Sequence, residues 1–154
     1  MAQFATDTDL LEYEPQIHGF GIQDFGNNPN LHEKTYDDII RLLNIKWYPT
    51  AEYGRYNASV LNNLTGQKLD ENKIVEAQFT RAAVYHVLAY YIYPKLSTFD
   101  PDGDSFQNKL NYYKNKFEEE FDLILQEGVK YDLDSDGTID NAEQQTFYYN
   151  RLQR

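Results

Sequence analysis

The sequence predicts an all-α domain, a small helical bundle of three long helices with short flanking helices, long loops and a C-terminal extension. Three observations carry that prediction. Apolar residues recur at steps of three and four over three long stretches, helix start and stop signals bracket those stretches, and no segment alternates with the period of two that a half-buried strand needs.

The first long helix opens at Asn28-Pro29, an N-cap followed by proline at the first helical position. Leu31, Thr35, Ile39, Leu42 and Leu43 then share one face, and Pro49 closes the segment. The second is expected to start after Asp70 and to run to the residue before Pro94. Its stripe is Ile74, Ala77, Val84, Leu88 and Ile92, with Val75, Phe79, Ala82 and Ala89 on a neighbouring one. A helix apolar on two sides belongs at the centre. The third runs from about Asp104 to Glu127 on Phe106, Leu110, Tyr113, Phe117, Phe121 and Leu125, and Gly128 is placed to cap it in a left-handed conformation. Two short helices flank these: Thr6-x-x-Asp9 introduces Leu10, Leu11 and Tyr13, and Asp140-x-x-Glu143 introduces Phe147, Tyr148 and Leu152. The connections 14–27 and 49–69 are longer than bundle loops usually are, which marks them as functional candidates.

The 154 residues suffice for one domain with a core, organised as a helical bundle over 1–128 and an extension over 129–154. With no cysteine, disulfides and thiolate metal sites are excluded. The start, MAQFATDTDL, has neither a basic nor an apolar leader region, and no apolar run approaches a membrane span, so the reading is a soluble chain made in the cytoplasm. A net charge of −11 argues against a phosphate-binding surface, although an acidic wall lets DNA slide past without sticking. Fourteen tyrosines and nine phenylalanines suit either a core or an assembly surface.

The sharpest chemical motif is Asp132–Glu143, DLDSDGTIDNAE, which matches the twelve-residue calcium loop of an EF-hand. Asp132, Asp134 and Asp136 take positions 1, 3 and 5, with Gly137 as the turn glycine. Thr138 offers its carbonyl at position 7, Asp140 takes position 9, and Glu143 is the bidentate ligand at position 12. The plain alternative is a DG-type turn before a capped helix. Five carboxylates within twelve residues argue for a cation, since their repulsion in a compact turn needs one to offset it. Ca²⁺ is expected here in the weak, sub-millimolar to millimolar class. The context departs from an EF-hand, because Gly128 ends the entering helix four residues early and no second loop of equal quality exists. Asp100-Pro101-Asp102-Gly103-Asp104 imitates half a loop, then fails at Ser105 and Asn111, and reads as an acidic cap for the third helix.

Catalytic patterns are missing. His18, His32 and His86 lie in different predicted elements, and there is no GxSxG, P-loop, HExxH or GxGxxG, so an enzyme is not expected. The run Glu118-Glu119-Glu120 reads as a solvated helix face, and the sequons at Asn57 and Asn63 as chance matches.

The order of FATDTDLLEYEPQI, NPNLHEKTYDDIIRLLNIKW and FQNKLNYYKNKFEEEFDLILQEGVKYDLDSDGTID resembles the head–tail connector (head-completion or adaptor) proteins of tailed bacteriophages, over most of the chain. The resemblance implies a structural virion protein at the neck that binds the portal protein as a homo-oligomeric ring, a dodecamer in that family. It extends the DNA channel without sequence-specific binding, has no membrane contact, and presents a docking surface for the tail or next neck protein. Under this reading the loops 14–27 and 49–69 and the segment 129–154 contact neighbours. A complete calcium-type loop is not a general family feature, and here it would staple the C-terminal arm. The competing readings are an EF-hand-like calcium sensor and a helical scaffold; the single Met argues against the Met-rich groove of a sensor.

Overall fold

The computed structural model describes residues 2–20, 25, 30–48 and 69–145, and over these the protein is mainly helical with almost no strand. Helix α1 (Asp7–Tyr13) starts in the expected capping box, in which Asp9 accepts from the Thr6 N–H at 2.7 Å. A 3₁₀ turn follows at Ile17–Phe20. Helix α2 (Leu31–Lys46) buries Leu31, Thr35, Ile39 and Leu43, the stripe read from the sequence. Its expected ends at Asn28-Pro29 and Pro49 lie outside the described residues, as do most of the 49–69 connection and both sequons.

The second helix departs from expectation at both ends. Residues 71–79 form two 3₁₀ turns, Glu71–Lys73 and Glu76–Phe79, instead of α-helix. Their backbone is used elsewhere: Ile74 bridges Tyr131, the Val75 N–H donates to the Lys130 carbonyl at 3.4 Å, and the Asp132 N–H donates to the Lys73 carbonyl at 2.8 Å. A chain so paired cannot also close i→i−4 bonds, although Ile74 keeps a helical spacing from its successors. Asp70 is a cap as expected, but of the 3₁₀ turn, where it accepts from the Asn72 N–H at 3.0 Å.

The helix proper begins as α3 (Thr80–Val87), passes through a π-helical turn (Leu88–Ile92) and continues as α4 (Tyr93–Leu96). It therefore runs through Pro94 instead of ending before it. In the π turn the Tyr93 N–H reaches back five residues to the Leu88 carbonyl, and Pro94 then falls in the first turn of α4, where its missing N–H is tolerated.

Helix α5 (Ser105–Glu127) matches its expected span. Asp104 caps it, accepting from the Gln107 N–H at 2.7 Å, and that bond is the chief reason its carboxyl lies below the usual range. Gly128 follows at φ +100, the left-handed region that glycine alone enters easily. Beyond it, β1 (Val129–Lys130) pairs antiparallel with β2 (Gln144–Gln145), in the register Val129 to Gln145 and Lys130 to Gln144. The Asp140 capping box is present as expected, but within the described residues it starts a 3₁₀ turn, Asn141–Glu143, that leads into β2. Phe147, Tyr148 and Leu152 lie outside the described residues.

Two compact units result, and each draws on both α2 and α5. The first comprises Met1–Asp37 and Phe79–Phe121, and aromatic rings fill much of its interior. The Phe4 ring lies 4.5 Å from Tyr36 and 5.1 Å from Phe79, while Tyr93, fully buried, stacks on Tyr113 at 5.9 Å. Glu14 serves this cluster, accepting from the Tyr113 hydroxyl at 2.7 Å and from Lys109 at 2.9 Å. Burial pushes the Glu14 carboxyl up, but the bonds from Lys109 and Tyr113 outweigh it and hold it below its ordinary value. The Asp7–His32 pair, 2.7 Å apart with the histidine buried, is a second polar tie that the sequence did not announce.

The second unit comprises Asp38–Gln78 and Asp122–Arg154. Trp47 lies at its centre with no exposure, 5.6 Å from the Tyr131 ring and 6.1 Å from Tyr48, beside buried Leu43, Leu69 and Ile74. The Tyr131 hydroxyl accepts from the Asp70 N–H at 3.0 Å, so the ring that packs on Trp47 also anchors 69–71. Among the tyrosines, Tyr36, Tyr93, Tyr113 and Tyr131 are core, whereas Tyr90 and Tyr112 are exposed.

Candidate metal centre

The acidic loop hangs from the second unit between two fixed ends. At its start the Tyr131 N–H donates to the Glu143 carbonyl at 2.9 Å and the Asp132 N–H to Lys73. The Lys73 ammonium adds a bond to the Leu133 carbonyl. At its end β2 pairs with β1.

Between these ends, side chains fold the backbone into a tight coil. Asp132 accepts from the Asp136 N–H at 3.1 Å and from the Gly137 N–H at 3.0 Å. Asp136 accepts from the Thr138 N–H at 2.8 Å and its hydroxyl at 2.7 Å. Ser135 and Gly137 take positive φ, +61 and +83, which turn the chain so that alternate carboxylates converge. One oxygen from each of Asp132, Asp134 and Asp136 lies within 4.8 Å of the others. Ligands of one Ca²⁺, at about 2.3–2.6 Å from it, lie at most roughly 5 Å apart, so this trio spans a single coordination sphere.

The crowding has an electrostatic signature. The Asp136 N–H draws the Asp134 pKa down, but desolvation and the neighbouring charges of Asp136, Glu143 and Asp132 outweigh it, leaving Asp134 above its ordinary value. Asp136 is held below its own by the Thr138 hydroxyl and N–H.

The remaining sequence-predicted ligands are placed differently. Asp140 faces the 3₁₀ turn and accepts from the Ala142 and Glu143 N–H groups at 2.8 and 3.1 Å. The Thr138 hydroxyl donates to Asp136, a bond that does not involve the carbonyl expected as its ligand atom. Glu143 is buried and turned into the loop backbone. One of its oxygens accepts from the Leu133 N–H at 2.7 Å and the Asp134 N–H at 3.2 Å, the other from the Asp140 N–H at 3.1 Å. To act as the bidentate ligand it must exchange these three bonds for the ion. The capping-box spacing Asp140-x-x-Glu143 was the sequence signal for this second role, since the N3 Glu of such a box reaches back to the cap N–H.

Comparison with known proteins returns no matching family model, curated protein or solved structure.

Proposed function

We propose that the chain is a structural virion protein of the head–tail connector type, which forms a ring under the portal, extends the DNA channel and offers the docking surface for the tail or next neck protein. The observation that carries this reading is the resemblance of three segments, in order and over most of the chain, to that family. The mainly helical fold, the net charge of −11 and the exposed aromatic residues are in keeping with it. Repulsion from an acidic wall lets DNA pass without adhering. Among the described residues no helix is long and apolar enough to cross a membrane.

The test is electron microscopy of the full chain mixed with the portal protein encoded beside it. A twelvefold ring stacked on the portal is the expected result; a chain that stays unbound at tens of micromolar overturns the reading.

Within this proposal the acidic loop is a staple for the C-terminal arm, with Asp132, Asp134 and Asp136 as the first-bound ligands of Ca²⁺ and Glu143 as a ligand recruited from its backbone bonds. For a dissociation constant near 1 mM, 10 mM Ca²⁺ should stabilise the fold by about 1.4 kcal/mol, a rise of a few degrees in melting temperature over a chelator control. Asp132→Ala should abolish the calcium-dependent part of that rise. No calorimetric heat and no thermal shift in the unaltered protein would reduce the loop to a turn. The sensor alternative calls for calcium-dependent exposure of apolar surface, which the same titration reads through binding of an apolar dye.

A further inference from the structure

Helix α5 has two faces. The buried one carries Tyr113, Phe117, Phe121 and Leu125. On the solvent side Tyr112, Lys116, Glu119 and Leu123 follow at steps of four, three and four, a single stripe roughly 16 Å long at 1.5 Å per residue. Tyr112 and Leu123, its apolar ends, are 55% and 56% exposed. Between them Lys116 pairs with Glu119 at 3.4 Å and lies 5.7 Å from the centre of the Tyr112 ring. Charge along the helix is segregated in the same sense. All its basic residues (Lys109, Lys114 and Lys116) precede Phe117, and all its acidic ones, from Glu118 to Glu127, follow it.

This stripe is its own complement under a two-fold rotation. Tyr112 and Leu123 are equidistant from the midpoint between residues 117 and 118, and so are Lys116 and Glu119. Two copies of α5 laid antiparallel across that midpoint place Tyr112 against the partner's Leu123 and Lys116 against the partner's Glu119, twice over. The basic half of each helix then runs along the acidic half of the other. We infer that the free protein self-associates through this face of α5 as an antiparallel two-fold dimer. With a net charge of −11 two copies repel at random orientations, and the antiparallel register is the one that brings unlike halves together. A single helix pair buries less than the roughly 1,200 Å² of a standard interface, so the dimer is of the weak, salt-sensitive kind. The inference rests on α5 alone and is independent of portal binding.

Sedimentation of the full chain over a concentration series tests it. A monomer–dimer equilibrium is expected, weakening as salt is raised to 0.5 M. Lys116→Glu and Glu119→Lys each create two like-charge contacts and should weaken the dimer about tenfold or more. An equimolar mixture of the two variants recreates both attractive contacts in the mixed dimer and should recover association to within about threefold of the unaltered protein. Leu123→Ser, which leaves the charges intact, should also weaken it. Glu119 and Leu123 are exposed and Lys116 partly so, and far-UV circular dichroism separates a lost interface from a lost fold. A protein monomeric up to millimolar concentration, variants that dimerise like the parent, or folded variants whose mixture stays monomeric would each overturn the inference.

Discussion

Trp47→Ala should destabilise the protein by about 3–5 kcal/mol, the range for emptying a fully buried aromatic site. Trp47 has no exposed surface, and its ring, with those of Tyr48 and Tyr131, forms a triangle of mutual contacts. Three consequences add up. The transfer free energy of the indole is lost, a cavity opens beside Tyr48 and Tyr131, and Tyr131 loses the surface that orients its hydroxyl toward the Asp70 N–H. Domains of this size are stable by only about 5–15 kcal/mol, so the variant should be visibly less stable at room temperature. Urea denaturation followed by far-UV circular dichroism is the measurement, because the substitution removes the only tryptophan and with it the fluorescence probe. A loss under about 1.5 kcal/mol would mean that the site can collapse around the deletion.

Gly128→Ala is the second large effect, expected at about 2–3 kcal/mol and arising from backbone conformation, not from lost contacts. At φ +100 an L-residue is strained wherever it sits. In addition, a Cβ there would lie 2.7 Å from the Gln144 carbonyl oxygen, a backbone atom of β2 that cannot swing aside as a side chain could. Relief requires β1 and β2 to separate, and that pairing closes the acidic loop. The variant should therefore lose any calcium-dependent rise in melting temperature along with its stability. Asp132→Ala, by contrast, should lose the calcium effect at a much smaller cost in stability, that of its two exposed backbone bonds. Thermal melts of both variants with and without Ca²⁺ distinguish the two.

The elements legible in the sequence are those whose signals all agree. In α2 and α5 the apolar period and the buried stripe coincide, and in α5 the Asp104 cap and Gly128 stop mark both ends. The stretch 71–79 was misread because Ile74 and Val75 keep helical spacing while their backbone is committed to residues 130 and 131, a long-range pairing that no local pattern encodes. At the acidic loop the coil through Asp132, Asp134 and Asp136 was legible from spacing, since short side chains that bond the backbone two to five residues on dictate it. The disposition of Glu143 was not. The same residue type at that offset satisfies both a calcium ligand set and a capping box, and in the folded chain its oxygens lie on three N–H groups.

The π turn at Leu88–Ile92 shifts the phase of the helix. Its i→i+5 geometry accommodates one residue more than a regular helix of the same rise, so the chain enters and leaves the turn about 100° out of phase. Ala83 and Val87 are buried before the turn, and Ile92 and Tyr93 after it, so the one extra residue lets the helix keep side chains in the interior on both sides of the shift.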